Sequence, residues 1–174
     1  MGAMAEIIEQ PLTPQALAAR YRELCDDPRY ALWQGKFEID VWGGITMSPA
    51  SNLHGVLQMR LGQRFAPLGG PAIAEASILT PLGVTVADVA WASTEFMHAH
   101  GTETPCTQAP EICIEIASPS NSRKALREKV DAYLAAGARE AWITFPQTKR
   151  FEVYGPGGEM AQTRLDVDLA SLFD

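Results

Sequence analysis

Residues 111–145, EICIEIASPSNSRKALREKVDAYLAAGAREAWITF, decide the fold of this chain. The first seven alternate isoleucine with other residues, which is typical of a buried strand. The polar run from Ser118 to Ser122 ends that strand and can cap a helix from about 123 to 136, which Gly137 closes. Another apolar run follows at 141–145. These elements predict an α/β protein in which helices flank a mixed sheet.

Helices and strands are predicted on both sides of this stretch. One helix begins at Pro14 after the cap Thr13. A polar loop is predicted at 98–110. Another helix runs from Ser51 to about Phe65, with apolar positions at Leu53, Val56, Leu57, Leu61 and Phe65. The other predicted elements are strands at 36–41, 44–48, 72–79, 84–91, 150–154 and near 159–165, and a helical turn at 169–173.

The chain is expected to form a single domain spanning residues 1–174, because no repeat or long linker divides it. Residues 1–4 resemble a cloning remnant. The sequence has no apolar run of the roughly 20 residues that a membrane span needs, and its start does not resemble a secretion signal. A cytoplasmic location without a membrane partner is therefore predicted.

Charge and metal-binding residue types narrow the class of protein further. The net charge of −7 argues against a protein that coats nucleic acid by charge alone. Residues 119–150 are the exception, with seven basic and three acidic side chains. The three cysteines form no C-x-x-C pair, so neither a disulfide framework nor a zinc knuckle is predicted. His98 and His100 form an H-x-H pair without partner ligands, which is a weak signal for zinc.

Two acidic residues interrupt otherwise apolar strands. Asp88 lies on the apolar face of the strand at 84–91, and Glu115 lies in the isoleucine-rich strand. A buried carboxylate is costly unless it is paired or bound to a metal ion, so two of them on neighbouring strands predict a shared cation. Oxygen ligands favour Mg²⁺ or Mn²⁺. A structural hydrogen bond at a strand end is the alternative for Asp88.

Lys129 is the third candidate. It lies three residues after Leu126 and four before Tyr133, at the edge of the helix face that should pack on the sheet. An ammonium beside two carboxylates could orient an attacking water or stabilise the charge that builds on a phosphoryl group. A lysine that only extends its charge into solvent is the alternative reading. Together, Asp88, Glu115 and Lys129 predict cleavage of phosphodiester bonds.

Three motifs carry a resemblance to a known family. They are E-I-A-S-P-S-N-S at 115–122, K-x-x-x-Y at Lys129 and Tyr133, and A-G-A-R-E-A-W-I at 136–143. With them the chain resembles, from end to end, the Uma family of putative restriction endonucleases in the PD-(D/E)XK superfamily. The resemblance implies a restriction-endonuclease-like mixed sheet between helices and metal ligands at Asp88 and Glu115. It also implies that the catalytic lysine has moved from the position of Ala117 to Lys129.

The chain departs from the family pattern at two positions. Ala87 stands where a proline usually precedes the first acid, and Gly44 stands where the hairpin often has a glutamate. The second departure matters if that glutamate binds metal. Glu38 resembles another acidic position of the hairpin and is a further catalytic candidate. His54, in the next helix, could approach the cleft or be an ordinary core or surface histidine.

Three functions stay open at this point. The leading one is a Mg²⁺-dependent (or Mn²⁺-dependent) endonuclease acting on DNA, with RNA left open as the alternative to DNA. A homodimer is one assembly compatible with it. The second is a catalytically inactive, nuclease-derived module that binds nucleic acid, which Gly44 and the overall acidity favour. The third is a homo-oligomeric protein without a nucleic-acid partner, in which the acids and Lys129 form a buried ion network.

Overall fold

The computed structural model describes residues 10–30, 36–49 and 51–174. The α-helices in these ranges are α1 (Pro14–Asp26), α2 (Asn52–Phe65), α3 (Thr94–His100) and α4 (Arg123–Ala135). The strands are β1 (Lys36–Asp40), β2 (Ile45–Ser48), β3 (Ala72–Thr80), β4 (Gly83–Trp91), β5 (Ile112–Ile116), β6 (Glu140–Phe145), β7 (Arg150–Gly155) and β8 (Gly158–Met160). The predicted α/β fold is confirmed. The proposed cloning remnant lies outside the described residues, and the assignment of the whole chain to one domain stays a prediction.

Local sequence signals explain most of these boundaries. Each described α-helix begins after a serine or threonine whose hydroxyl accepts a hydrogen bond from the backbone N–H three residues later, namely Thr13, Ser51, Ser93 and Ser122. Gly137, with φ of 109°, ends α4 in a backbone conformation that favours glycine. The helical turn predicted at 169–173 is a non-helical turn at 170–173. Leu172, within this turn, is fully buried.

Two predictions about element boundaries were wrong. The predicted loop at 98–110 begins inside α3, a helix of seven residues that is too short to show a clear apolar period. The last strand, β8, ends at Met160 and is shorter than predicted. None of the helices described is both long and apolar enough to cross a membrane.

The strands form a mixed sheet in the order β2-β1-β4-β5-β6-β7-β8, with β3 paired to β4. Among the described strands, β5 and β6 are the one parallel pair, and α4 connects them. One core cluster packs α2 against the isoleucines of β5 and Trp142. Another packs α4 against Cys113, Ala141 and Ile143. The sheet therefore lies between α2 and α4, as the alternation in β5 predicts.

The apolar face predicted for α2 is only partly correct. Leu57, Leu61 and Phe65 are buried, whereas Leu53 is 60% exposed and Val56 is 47% exposed. The helix is turned so that two polar side chains near its beginning, described below, face β4. Sequence periodicity alone does not reveal that a buried helix face carries polar groups.

One edge of β4 is shared by two strands. On its other edge β4 pairs with β3 over nearly its whole length. On the shared edge, β1 pairs with Gly83 and Val84, and β5 pairs with residues 89–91. Residues 85–88 of β4 pair with no described strand on this edge, so the sheet opens there into a gap, called the fork below. Backbone groups in the fork need partners other than a strand.

Candidate active site in the fork of the sheet

Buried acids fall into two groups in the described part of the chain. Asp88, Glu111, Glu115 and Glu140 are all at most 8% exposed. Glu111 and Glu140 accept hydrogen bonds from neutral hydroxyl, indole and backbone N–H groups. Asp88 and Glu115 instead contact ammonium groups. Glu111 and Glu140 are therefore structural, whereas Asp88 and Glu115 form the candidate site.

Asp88 lies in the fork and is held from three sides. Its Oδ2 accepts a hydrogen bond from the backbone N–H of Ile116 at 2.7 Å, which replaces a strand-to-strand bond. Its Oδ1 contacts Lys36 Nζ at 2.5 Å and His54 Nε2 at 3.1 Å. Its backbone carbonyl accepts a hydrogen bond from Gln58 Nε2 at 3.0 Å. His54 and Gln58 are one helical turn apart, so a single face of α2 fixes Asp88.

Glu115 faces the same gap from β5. Its Oε1 accepts a hydrogen bond from the Tyr133 hydroxyl at 2.6 Å and lies 2.8 Å from Lys129 Nζ. Its Oε2 lies 3.8 Å from Lys36 Nζ. Both Tyr133 and Lys129 come from α4, four residues apart on one face. The K-x-x-x-Y motif therefore places a cation and a hydrogen-bond donor on one carboxylate oxygen.

Glu38 completes the group and satisfies the open backbone of Val86. Its Oε1 lies 2.8 Å from Lys129 Nζ and accepts a hydrogen bond from the Val86 N–H at 2.6 Å. The Val86 carbonyl accepts hydrogen bonds from Lys36 at 3.0 Å and from Lys129 at 3.3 Å. Charged side chains thus occupy the place that a strand would take beside β4.

The structure brings all four sequence-predicted site residues together: Asp88, Glu115, Lys129 and Glu38. Sequence reasoning missed Lys36 and Gln58, and it left His54 open. A signal for Lys36 exists, because Lys36 and Glu38 are two residues apart and share one face of β1. A lysine at the beginning of a strand usually extends into solvent, so this spacing alone does not mark a buried cation.

Burial and charge set the pKa values of these groups in different directions. Burial raises the pKa of Asp88, but the hydrogen bond from His54 and the charge of Lys36 outweigh it and lower that pKa to about 2. Burial, together with the negative charges of Asp88 and Glu38, raises the pKa of Glu115 more than the two lysines lower it. Burial lowers the pKa of Lys129, but the charges of Glu115 and Glu38 more than offset it and raise that pKa. Lys129 therefore stays charged at neutral pH and is unsuited to act as a general base.

The donor set fits a divalent metal ion. Asp88 Oδ1 and Glu115 Oε2 both contact Lys36 Nζ, so the two oxygens face one position that already holds a cation. Mg²⁺ is commonly held by one or two carboxylates and keeps several waters. No group of three or more His, Cys, Asp or Glu side chains in the described ranges is arranged to hold a metal ion. Water or substrate oxygens would therefore have to supply the remaining ligands.

Gly44 has no side chain that could bind a metal ion, and the neighbouring acid, Asp40, is engaged with the backbone of the turn. Asp40 uses its Oδ1 to accept hydrogen bonds from the backbone N–H groups of Trp42 and Gly44. A Cβ added at Gly44 would lie 2.8 Å from Asp40 Oδ2, so Asp40 fills the room a side chain would need. Asp40 therefore caps the turn, and Asp88 and Glu115 remain the candidate metal ligands.

The two histidines of the H-x-H pair have different surroundings. His98 is exposed, and His100 Nδ1 lies 3.1 Å from Glu103 Oε1. Glu103 in turn accepts hydrogen bonds from the backbone and side chain of Thr107. These contacts hold the end of α3 to the loop that follows it.

A second charged surface, called the α4 basic surface, consists of Arg123, Lys124 and Arg127. These side chains line a cavity of about 310 Å³ with Ile143, Phe145, Glu152 and Tyr154. Each has an acidic partner: Arg123 pairs with Glu152 at 2.6 Å, Lys124 with Glu128 at 3.7 Å and Arg127 with Asp131 at 3.2 Å. These acidic partners neutralise part of the positive charge of residues 119–150. One of them, Glu152, lies outside that segment.

Comparisons with known proteins agree with the resemblance seen in the sequence. A family model described as Uma2, a putative restriction endonuclease, matches residues 18–172. The crystal structure of a putative nuclease belonging to DUF820 from Anabaena variabilis is similar, with a TM-score of 0.60 and 17% identity over 91% of this chain and 83% of that one. At this identity the likeness shows the fold alone. No curated protein matches this chain in sequence.

Proposed function

Because the chain belongs to the Uma2 family of putative restriction endonucleases, we propose that it is a metal-dependent endonuclease that hydrolyses phosphodiester bonds of DNA. The observation that carries this proposal is the pair of buried carboxylates in the fork, Asp88 and Glu115, which face one cation position beside Lys129. A bound Mg²⁺ or Mn²⁺ would supply a Lewis acid for the phosphoryl oxygens and lower the pKa of a bound water.

The side chains divide the work in a way that their contacts support. Asp88 and Glu115 would hold the metal ion. Lys129, charged and fixed between Glu38 and Glu115, would stabilise the negative charge that develops on the phosphate. Tyr133 donates to Glu115 and so fixes its orientation. Glu38 acts as a positioning residue, because its carboxylate holds Lys129 and the Val86 backbone.

A second candidate function is the inactive module that binds nucleic acid without cleaving it. Two observations favour it: the Lys36 ammonium contacts both acids, and Gly44 supplies no acid to the hairpin. A permanent lysine at the cation position would block metal binding. The cytoplasmic location, the choice of DNA over RNA and the homodimer stay predictions.

Metal binding is the first prediction. Mg²⁺ or Mn²⁺ should bind wild-type protein and raise its melting temperature, because a ligand that binds only the folded state stabilises it by about 2.7 kcal/mol at 100 times its Kd. Plasmid DNA should be cleaved under the same conditions and left intact with EDTA. Asp88→Asn should abolish both effects, since it removes one of the two negative charges of the site. Calorimetry, thermal melting and gel electrophoresis measure these outcomes.

Glu111→Gln is the matched control for this substitution. Glu111 is also a buried acid, but it accepts hydrogen bonds from Ser93 and lies outside the fork. This variant should lose stability and keep metal binding. Equal metal binding by wild type and Asp88→Asn would show that the metal position lies elsewhere.

DNA binding through the α4 basic surface is the second prediction. Exposed ion pairs contribute only about 0–1 kcal/mol, so phosphates can replace the carboxylate partners of Arg123, Lys124 and Arg127. Reversing the charge of all three to glutamate should weaken DNA binding and flatten its dependence on salt. The logarithmic slope should change by about 0.9 for each phosphate that the variant no longer neutralises. Fluorescence anisotropy with EDTA present, over a series of salt concentrations, measures this slope.

Arg29→Glu is the control for charge reversal. Arg29 is 82% exposed, pairs with Asp27 just after α1 and does not belong to the α4 basic surface. Its reversal should leave the salt slope unchanged. A triple variant with the wild-type slope would place the DNA-binding surface elsewhere on the protein.

A further inference from the structure

Lys36 occupies an unusual place for a lysine. It lies at the beginning of β1, yet its side chain is only 11% exposed. Its Nζ contacts Asp88 Oδ1 at 2.5 Å, Glu115 Oε2 at 3.8 Å and the Val86 carbonyl at 3.0 Å. All three partners are oxygen atoms of the fork. These are the ligand types that a hard divalent cation prefers.

Lys129 has a different set of partners, so the two lysines are not interchangeable. Lys129 contacts the other oxygen of Glu115 and the carboxylate of Glu38. Within the described ranges it makes no ion pair with Asp88. Lys36 alone of the two bridges the pair of acids that the proposed function assigns to the metal ion. A metal ion and the Lys36 ammonium would therefore compete for the same oxygens.

We propose that Lys36 is a tethered counter-ion that occupies the metal position in the metal-free protein and leaves when a divalent cation binds. This inference rests on the proposed function, since it assigns the same two carboxylates to the metal ion. Two neighbouring buried carboxylates repel each other. This repulsion destabilises the folded protein unless a cation lies between them. Lys36 supplies that cation during the metal-free state. The consequence is that Lys36 weakens metal binding and sets the metal concentration at which the site fills.

The charges in the fork support an exchange rather than joint occupancy. Asp88, Glu115 and Glu38 bring three negative charges, and Lys36 and Lys129 bring two positive charges. A divalent cation added to this group would leave an excess of positive charge in a buried site. Withdrawal of Lys36 into solvent removes one positive charge and leaves His54 Nε2, at 3.1 Å, as the remaining side-chain contact of Asp88 Oδ1. The position of Lys36 at the beginning of β1, a strand that is only partly buried, makes this withdrawal possible without unfolding the core.

Calorimetric titration of Lys36→Met with Mn²⁺ tests the competition. Removing a unit charge that lies within 4 Å of the metal oxygens should tighten Mn²⁺ binding by about tenfold or more. The metal-free variant should melt at a lower temperature than wild type, and Mn²⁺ should raise its melting temperature by more. Lys149→Met is the matched control, because Lys149 is exposed and outside the fork. It should bind Mn²⁺ as wild type does.

Amine labelling of the wild-type protein tests the displacement without any substitution. An amine-reactive acetylating reagent followed by mass spectrometry should modify Lys36 slowly in the metal-free protein and severalfold faster with saturating Mn²⁺. Lys149 should be modified at the same rate in both states. This measurement keeps the inference testable even where Lys36→Met does not fold.

The outcomes separate this inference from the proposed function. Mn²⁺ binding by wild type with unchanged Lys36 labelling, or with equal affinity in a folded Lys36→Met, would overturn the displacement and leave the metal site standing. Binding by Lys36→Met but not by wild type would show that Lys36 blocks the site and does not leave it, which would overturn the displacement. Absence of binding by both proteins, even at millimolar Mn²⁺, would overturn the metal site and the inference together.

Discussion

Lys129→Met should slow metal-dependent DNA cleavage by about two to three orders of magnitude, the usual effect of losing one preorganised charge at a developing anion. The reason is that Lys129 Nζ lies 2.8 Å from both Glu38 and Glu115 and stays charged at neutral pH. Methionine keeps most of the length and apolar contact of lysine and removes only the cation. Cleavage rates of plasmid DNA, measured at a temperature where circular dichroism shows a folded protein, give this effect.

Two further variants separate chemistry from structure in this experiment. Lys149→Met removes an exposed lysine and should cleave at the wild-type rate. Metal affinity of Lys129→Met should not fall, because the substitution removes a positive charge and keeps both carboxylates. Cleavage at the wild-type rate by a folded Lys129→Met would remove Lys129 from the mechanism.

The sequence predicted the parts of this site that obey local rules. Asp88 and Glu115 interrupt apolar strands, and the structure buries both at 1% and 4% exposure. Lys129 lies at the edge of an apolar helix stripe, and Ser122 fixes where that helix begins. Strand alternation, helix periodicity and capping depend on residues close in the sequence, so they can be read without the fold.

The remaining site features depend on contacts between distant segments. The fork exists because β1 and β5 share one edge of β4, and no local pattern encodes which strands share an edge. Lys36 reaches Asp88 from β1 and His54 reaches it from α2, from positions 52 and 34 residues earlier in the chain. A lysine and a histidine on amphipathic elements are ordinary until the partner strand is known. Their roles therefore emerged only from the structure.

The partly wrong assignment of the α2 face has the same origin. Leu53 and Val56 fit a helical apolar pattern, but the face that turns toward the sheet carries His54 and Gln58. His54 contacts the carboxylate of Asp88, and Gln58 donates a hydrogen bond to the backbone carbonyl of Asp88. Polar groups of the candidate site thus take the place of apolar ones on a buried face. Disagreement between apolar periodicity and burial marks the candidate site in this protein.

Lys129→Met should also lower the free energy of unfolding by about 3–5 kcal/mol, the usual cost of breaking a buried ion pair from one side. The loss arises because Glu115 is fully buried and would keep only Tyr133 and the more distant Lys36 as partners. Adding Glu115→Gln to Lys129→Met removes the stranded charge and should recover a large part of the loss. Urea denaturation of wild type, both single variants and the double variant gives the coupling energy.

The pair Arg123 and Glu152 provides the comparison for this cycle. Its atoms are 2.6 Å apart, closer than those of Lys129 and Glu115, but the Arg123 side chain is 72% exposed. Solvent screens such a pair, so the cycle Arg123→Met with Glu152→Gln should give a coupling of less than about 1 kcal/mol. A large coupling in the fork beside a small one on the surface would show that burial, not distance, makes the pair strong. Equal couplings would contradict the assignment of Lys129 and Glu115 to a buried ion pair, and with it the preorganised charge on which the cleavage prediction depends.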